Sequence, residues 1–297
     1  MVYIQLVKRV IALCAAVAML AGCASKNSTS DADKAFASEV AKARAGVTTT
    51  PDTPGAGSTA PVTEPPMPKA LAANPLYRIG KLPSSGCAEP AYPATTLANV
   101  RAYFTQYVAC LNKAWGPAIR KAGFTFRPPK LVVVLGQSPS SPCDFEDGRD
   151  YLCGDTIYMD AETHIQYYKE NPAWARAWMA LEIGHEYGHH VQVLTGILNA
   201  RYQRDKTLNG VDIQLEDSRR TELQASCLSA VYLGADRKDF PVTPEWEYSW
   251  DLATRETTDD RHDHGDAASH GYWTYAGISA GNPAACNTYT AASSLVG

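Results

Sequence analysis

Apolar side chains recur every three or four residues along residues 172–194, a spacing that places them on one face of an α-helix. Asn171 followed by Pro172 is a helix start, because asparagine caps a helix and proline fits its first turn. Gly196 offers a left-handed stop. The apolar positions are Trp174, Ala177, Trp178, Ala180, Leu181, Val191 and Leu194. The pattern predicts one long and mostly buried helix.

A second helical pattern covers residues 216–235. Glu222 opens the apolar stripe of this segment, so we expect its side chain to point inward. An inward carboxylate is costly unless it is paired or binds a metal ion, which makes Glu222 a candidate functional residue. The stripe consists of Leu223, Cys227, Ala230 and Val231, and Gly234 stands near its end.

The remaining patterns predict an α+β fold that is mainly helical, with a small antiparallel sheet. We expect a helix over residues 97–121 and a further helix near residues 243–254. Residues 131–136, a β-branched run, and residues 156–160 are predicted strands. The stretch from residue 84 to residue 297 is long enough for one domain with a substantial core.

The first residues have the pattern of an export signal. Lys8 and Arg9 precede an apolar run at residues 10–20, which is too short for a normal membrane span. The run ends in LAGC, and small residues directly before Cys23 resemble a bacterial lipobox. We therefore expect a lipoprotein signal peptide at residues 1–22 and a lipid on Cys23, which would anchor the protein to a cell-envelope membrane, facing the periplasm or the exterior. A non-lipidated signal peptide that is cut nearby is the alternative.

Residues 23–83 are rich in Ser, Thr, Ala and Pro and contain almost no aromatic residues. Such a composition buries too little apolar surface to offset the entropy cost of folding. The segment is predicted to be a disordered tether between the lipid and the folded domain.

The chain carries a formal net charge of −4, and removal of residues 1–22, which takes away two positive charges and no acids, changes it to −6. A mildly acidic protein without basic clusters does not have the charge pattern of a nucleic-acid binder. The expected connection to the membrane is the lipid alone.

Of the eight cysteines, Cys14 falls in the signal peptide and Cys23 in the lipobox. The six that remain form an even set, which in an exported domain suggests disulfides. Fifteen pairings are possible, and neighbours along the chain favour three of them. The favoured pairs are Cys87 with Cys110, Cys143 with Cys153, and Cys227 with Cys286.

The long helix carries the hexapeptide HEYGHH, which begins at His185. Residues four apart lie on the same face of a helix, so the imidazoles of His185 and His189 can converge on one metal ion. Glu186 lies about a quarter-turn away, where it can take a proton from a water in the open position of that ion. Gly184 and Gly188 each weaken a helix by about 1 kcal/mol relative to alanine, which indicates that a backbone or substrate comes close there. The spacing is the His-Glu-x-x-His pattern of zinc peptidases.

A zinc site of this kind needs a third protein ligand, for which Glu222 is the best candidate. The alternative is that Glu222 is a surface residue paired with Arg219 or Arg220. Glu216 and Asp217 compete as ligands, but acidic residues are expected in the first turn of a helix for dipole reasons.

Five sequence blocks in one order carry a more specific signal. They are DYLCGDTIYMD at residues 150–160, HEYGHHVQ at 185–192, RRTELQASC at 219–227, HGDAASHGYWTYAG at 264–277 and CNTY at 286–289. These blocks resemble the bacterial putative neutral zinc metallopeptidase family, which pairs an HExGHHxQ helix with a later ELQADC helix. The resemblance extends over about residues 96–290.

The resemblance implies a zincin-like metallopeptidase domain with one zinc ion per chain. It implies that His185, His189 and Glu222 hold the zinc and that Glu186 is the general base. Two positions depart from the family pattern. Ser226 stands where the family has Asp, a residue that in related peptidases orients a zinc histidine, and loss of such a partner commonly costs 10–100-fold in metal affinity or activity. His270 stands where an arginine is expected.

The block that begins at His264 supplies a candidate for a further catalytic role. A histidine or tyrosine near the zinc can donate a hydrogen bond to the oxyanion that forms on the attacked carbonyl. His264 is the first choice for this role and Tyr275 the second. The alternative for both is a solvated side chain in a polar, turn-rich stretch.

The function predicted from these features is a membrane-anchored zinc peptidase, an endopeptidase in particular, that hydrolyses peptide or protein substrates. Zinc-activated water would attack the peptide carbonyl, Glu186 would move the proton, and the substrate would add as a strand to a sheet edge. The alternative is a non-catalytic lipoprotein that keeps the zincin scaffold as a binding or assembly module in the cell envelope. Ser226 favours this alternative, and the presence of Glu186 favours the enzyme.

Overall fold

The computed structural model describes residues 65–136, 138, 140–143, 150–240, 242–255 and 261–297. The predicted signal peptide, Cys23 and the first part of the predicted tether lie outside these residues. Within them, no helix combines the length and the apolar character that crossing a membrane requires.

Helices make up most of the described residues, and a small sheet completes the fold. The helices are α1 (Lys69–Ala72), α2 (Leu97–Lys121), α3 (Ala161–Glu170), α4 (Pro172–Leu194), α5 (Ile197–Asp205), α6 (Val211–Asp236), α7 (Pro244–Arg255) and α8 (Ala267–Ala280). The strands are β1 (Lys130–Val134), β2 (Tyr151–Cys153) and β3 (Thr156–Asp160). The α+β class, mainly helical with a small sheet, is confirmed.

The sheet is mixed, whereas the sequence predicts an antiparallel one. Strand β3 lies in the centre, antiparallel to β2 and parallel to β1. A two-residue turn that contains Gly154 at φ +62° forces the antiparallel pair. The connection from β1 to β3 is long enough to return the chain to the same end of the sheet, so that pair runs parallel.

Helices α2, α4, α6 and α7 lie close to their predicted bounds, because each has a clear apolar face and most have a start signal. The Thr96 side chain accepts from the Asn99 amide at 3.2 Å at the start of α2. The Asn171 side chain accepts from the Trp174 amide at 3.2 Å at the start of α4. Caps of this kind satisfy amides that a helix start leaves free.

Small residues allow α4, α6 and α8 to pack closely. A Cβ on Gly188 of α4 would collide with the backbone of Ala225 on α6, and a Cβ on Gly184 would collide with the Ser229 side chain. In the same way, Gly277 of α8 lies against the backbone of α6. The two glycines of α4 therefore serve the close approach of α6, through its backbone at Gly188 and through a side chain at Gly184. This approach brings the ligand-bearing faces of α4 and α6 together.

The end of the predicted tether belongs to the fold, which corrects the expectation of disorder for residues 65–83. Leu71 and Leu76 are fully buried in the hydrophobic core. The amide of Leu82 donates to the carbonyl of Gly281 at 2.8 Å. The composition of the whole segment conceals these leucines, which bury enough apolar surface to hold their part of the chain on the domain.

Three disulfides cross-link the described residues, in the three pairs that neighbouring positions along the chain favour. The bond between Cys227 and Cys286 attaches α6 to the C-terminal segment and closes a loop with a sequence separation of 59 residues. The other two bonds join Cys87 to Cys110 and Cys143 to Cys153.

Candidate metal centre

The side chains of His185, His189 and Glu222 converge between α4 and α6. The two Nε2 atoms lie 3.0 Å apart, and Glu222 Oε2 lies 3.2 Å from His185 Nε2 and 3.0 Å from His189 Nε2. Within the described residues, this is the one cluster of three or more His, Cys, Asp or Glu with ligand atoms within 4.8 Å of one another. The helical period accounts for the two histidines, and the glycine contacts of α4 account for the position of Glu222.

This triangle of donor atoms fits a zinc ion. Zinc bonds of about 2.0–2.1 Å in tetrahedral geometry place ligand atoms about 3.3 Å apart, close to the observed 3.0–3.2 Å. Two imidazole nitrogens and one carboxylate oxygen are a ligand set that catalytic zinc sites use, with the fourth position left for water or substrate. The residues present therefore suit the metal that the sequence resemblance implies.

Neutral partners orient both histidines. The Gln192 amide donates through Nε2 to the Thr221 carbonyl at 2.8 Å, which leaves its Oε1 to accept from His189 Nδ1 at 2.9 Å. With that proton on Nδ1, the neutral form of His189, which is the form that binds a metal, turns the lone pair of Nε2 toward the cluster. The Nδ1 atom of His185 lies 2.9 Å from Ser226 Oγ.

The two positions that depart from the family pattern touch each other. The hydroxyl of Ser226 lies 3.3 Å from His270 Nδ1, and His270 is only 4% exposed. Burial lowers the pKa of His270 to about 4, so this imidazole is neutral at pH 7. The His185 ligand is thus held by an uncharged pair of side chains.

The acidic and basic residues that compete with this assignment have other partners. Neither Arg219 nor Arg220 forms an ion pair with Glu222 among the contacts described. The pairs are Glu216 with Arg220 at 2.6 Å, Asp217 with Arg204 at 2.7 Å, and Arg219 with the carbonyls of His262 and Val296. Glu222 therefore faces the two histidines, and Glu216 and Asp217 do not join them in the ligand cluster.

Electrostatics couples the three candidate ligands. Burial works to lower the pKa of His189, but the Glu222 charge and its hydrogen bond outweigh burial and raise the pKa to about 9. Burial lowers the pKa of His185, and the hydrogen bond that Glu222 accepts from it only partly opposes this shift. Burial would raise the pKa of Glu222, but the charge on His189 and the histidine hydrogen bonds hold it well below its usual range.

Glu186 is 6% exposed and lies beside the ligands. Burial raises the pKa of its carboxyl to about 7; His189 opposes this shift, and the charges of Glu222 and Asp150 add to it. A backbone hydrogen bond from Leu152 on β2 also reaches the carboxyl. A carboxyl with a pKa near 7 can both accept and return a proton at neutral pH.

A second carboxyl, Glu182, lies one helical turn before Glu186 and was missed in the sequence. Burial, followed by the charges of Asp150 and Glu186, raises the pKa of Glu182 well above its usual range. Asp150 is itself held by His164 Nε2 at 2.7 Å and by the Asp160 amide at 2.6 Å. The available signal was the spacing of four residues between Glu182 and Glu186, which puts both on one helix face.

The loop before α8 brings His264 to the site. Its Nε2 atom lies 4.0 Å from Glu222 Oε2, and its side chain is 40% exposed. Asp263, a residue that sequence reasoning did not single out, contacts His264 Nδ1 at 2.5 Å. Gly265, at φ +100°, lies against the Leu223 side chain, where a Cβ would be crowded. His264 thus lies near the candidate ligands, and its catalytic role, like that of Tyr275 on α8, stays a prediction.

The sequence model of the family described as "Putative neutral zinc metallopeptidase" matches residues 90–244, just over half of the chain. This range contains the HEYGHH helix and Glu222. The loop of His264 and helix α8 lie beyond it.

Two bacterial proteins are similar in sequence to this chain, each at less than 30% identity. "Uncharacterized protein YpfJ" of Escherichia coli K12 is 28% identical over 206 residues, which cover 63% of this chain and 71% of the relative. "Uncharacterized protein Rv2575" of Mycobacterium tuberculosis H37Rv is 29% identical over 212 residues, which cover 61% of this chain and 68% of the relative. No solved structure gives a significant match.

Proposed function

Because this chain belongs to the putative neutral zinc metallopeptidase family, we propose that it is a zinc-dependent endopeptidase anchored to the cell envelope. The observation that carries the proposal is the convergence of two imidazole nitrogens and one carboxylate oxygen within 3.2 Å, beside a buried glutamate. His185, His189 and Glu222 would hold the metal. When bound, zinc supplies Lewis acidity to water and to a peptide carbonyl.

Glu186 is the proton carrier of the proposed reaction. Its carboxylate takes a proton from the attacking water, and the resulting carboxylic acid gives that proton to the leaving amine. Burial raises the pKa of this carboxyl, which makes it a stronger base for the first step than an exposed glutamate. No covalent bond between the chain and the substrate is needed.

His264 is placed to donate a hydrogen bond to the oxyanion of the attacked carbonyl. Its Nδ1 atom contacts the Asp263 carboxylate and its Nε2 atom lies on the ligand side, so an imidazolium at this position holds Nδ1–H against Asp263 and offers Nε2–H to the substrate. A donor aimed at developing negative charge lowers the barrier of the step that creates the charge.

The edge of β2 is the proposed binding surface for the substrate backbone. Cys153 and Thr156 flank the two-residue turn and therefore exchange hydrogen bonds, so the amide and carbonyl of Leu152 point away from β3. The backbone contact between Leu152 and Glu186 agrees with this direction. An extended peptide paired there would pass beside Glu186 with chain on both sides of the cut bond, which favours an endopeptidase.

The test measures zinc content and peptide cleavage for the wild type and for Glu186→Gln, with Glu162→Gln on exposed α3 as the matched control. We expect one zinc per chain in all three proteins and cleavage of terminally blocked peptides by the wild type and the control only. The enzymatic function would be contradicted if the wild type and Glu186→Gln both bind zinc but neither cleaves any of a varied set of peptides. That result would favour the non-catalytic scaffold, for which the serine at position 226 is the supporting observation.

The envelope location rests on the LAGC sequence that ends at Cys23. We expect incorporation of a labelled fatty acid into the wild-type chain when it is expressed in a bacterium with lipoprotein processing, and none into Cys23→Ser. Equal labelling of the two proteins, or none of either, would contradict the lipid anchor.

A further inference from the structure

His270 is a buried imidazole whose ring contacts Ser226 on the neighbouring helix. It lies on α8 and is 4% exposed, and its Nδ1 atom lies 3.3 Å from Ser226 Oγ. Its Nε2 atom is buried without a hydrogen-bond partner. A buried polar atom without a partner costs about 1–3 kcal/mol, so the Ser226 contact is the polar interaction that argues for a role of this ring.

The hydrogen bonds around Ser226 have a direction that the metal site sets. An imidazole that offers Nε2 to a metal carries its proton on Nδ1, so His185 donates from Nδ1 to Ser226 Oγ at 2.9 Å. The hydroxyl then keeps its own proton to donate. His270 Nδ1 is the acceptor within reach at 3.3 Å, and its neutral ring offers a lone pair there.

We propose that His270 is a positioning residue for the metal ligand His185 and acts through the Ser226 hydroxyl. The inference rests on the proposed function, because it takes His185 as a zinc ligand. By accepting from the hydroxyl, His270 turns the oxygen lone pairs of Ser226 toward His185. Without His270, the hydroxyl is free to donate to a backbone carbonyl of its own helix, a common contact for serine inside helices.

In this arrangement, Ser226 and His270 orient His185 in place of a carboxylate. A hydrogen-bond partner beyond the ligand shell commonly changes metal affinity or activity by about 10–100-fold, and His270 is one step further out. We expect removal of the His270 acceptor to raise the dissociation constant for zinc by about tenfold, near the lower end of that range. The expected effect on the metal is therefore measurable without any peptide substrate.

The experiment measures the zinc dissociation constant of the full chain by competition with a chelator. His270→Leu removes the acceptor, and His270→Asn keeps a polar atom close to the position of Nδ1. We expect about tenfold weaker zinc binding for His270→Leu and restoration to within about threefold of wild type for His270→Asn.

His190 is the matched control for the loss of a buried histidine. It is 1% exposed on α4, and its Nε2 contacts the Arg127 carbonyl at 2.8 Å, away from the ligand cluster. We expect His190→Leu to lower thermal stability as His270→Leu does, with less than about a threefold change in zinc affinity.

A double-variant cycle tests whether His270 acts through Ser226. Ser226→Ala removes the intermediary, so adding His270→Leu to it should weaken zinc binding by less than about twofold further. Independent, multiplied effects of the two substitutions on zinc affinity would overturn the inference. Equal zinc affinities of the wild type and His270→Leu would also overturn it while leaving the proposed function intact. A wild-type chain without affinity for zinc would overturn both.

Discussion

The pair of helices α4 and α6 and the C-terminal region around α8 contribute to one site in different ways. Helices α4 and α6 supply the three candidate ligands, whose donor atoms lie 3.0–3.2 Å apart. The C-terminal region supplies His264, at 4.0 Å from Glu222, and His270, which reaches His185 only through Ser226. The ligands lie on helices packed backbone to backbone, while His264 lies in a half-exposed loop.

In the proposed enzyme the two regions have different tasks: α4 and α6 hold the metal, and the loop of His264 contacts the substrate. A ligand triangle needs fixed positions, which two rigid helices in close contact provide. A group that stabilises a transition state must also meet the substrate, and a partly exposed loop allows this. We therefore expect substitutions in α4 and α6 to change zinc binding, and substitution of His264 to change the rate alone.

The largest effect is expected for Glu222→Gln, which removes the charged ligand and leaves the shape of the side chain. Zinc affinity should fall by more than the roughly 100-fold typical of losses beyond the ligand shell, and cleavage should disappear. Glu216→Gln is the control, because Glu216 pairs with Arg220 on the same helix and not with the metal ligands. Measurement of zinc content after dialysis checks the prediction, and retention of zinc by Glu222→Gln would contradict it.

His264→Leu, which removes the donor, should separate the two regions most clearly. Loss of a hydrogen-bond donor to an oxyanion typically lowers kcat by about 100-fold or more, while zinc affinity should stay within about threefold of wild type. Steady-state kinetics on a blocked peptide and chelator competition give the two numbers. If zinc affinity and kcat fall together, His264 is a metal ligand, and the two regions do not differ in function as proposed.

Gly188→Ala should disturb the contact between α4 and α6. The added Cβ meets the Ala225 backbone, which cannot move aside, so we expect a loss of roughly 1–3 kcal/mol in the free energy of unfolding. The gain in helix propensity, about 1 kcal/mol, only partly offsets this. Chemical denaturation measures the change.

Gly184→Ala is the comparison for this variant, since the added Cβ meets the Ser229 side chain rather than backbone. It should destabilise the protein less than Gly188→Ala. The reverse order would show that the close approach at Gly188 does not limit the packing of α4 on α6.

The last effect concerns the pH dependence of zinc binding. The pKa of His189 in the zinc-free chain is raised to about 9, so zinc must displace a proton at neutral pH. Zinc affinity should therefore rise about tenfold per pH unit from pH 7 toward pH 9 and level off above that, while His185, whose pKa is lowered, adds no slope. A flat profile would contradict this coupling.

The raised pKa of His189 also predicts how the stability of the zinc-free chain depends on pH. A histidine with a raised folded pKa contributes stability that is fully present below the unfolded value of about 6.5. This contribution is lost as the pH rises through about 9. Thermal unfolding of the zinc-free chain between pH 6 and pH 9 measures it, with Glu222→Gln as the variant in which the loss should shrink.

Helix α2 was predicted from its apolar period, whereas helix α8 and strand β2 were missed because neither shows a clear period. Helix α2 begins at a threonine cap and has an apolar face throughout, which are properties of the segment itself. Helix α8 is rich in alanine, glycine and serine, and its stability depends on close packing of Gly277 against α6. Strand β2 has three residues, too few for a period to be recognised. Local periodicity does not contain the contacts that stabilise these elements.

The sequence by itself determined which side chains can share one helix face. The period of the α-helix places His185 and His189 together and Glu186 beside them, whatever the rest of the chain does. The HEYGHH pattern and the later ELQ segment were enough to propose the three ligands and the base. These inferences depend on distances within one element, or on a resemblance that already included them.

The tertiary structure alone decided which residues from other elements reach that face. The close packing of Gly188 on Ala225 sets Glu222 opposite the histidines, and the position of α8 sets His270 against Ser226. A spacing along the chain says nothing about the distance between two elements, because that distance depends on how their side chains interlock. The contact between Ser226 and His270 is visible only after the helices have packed.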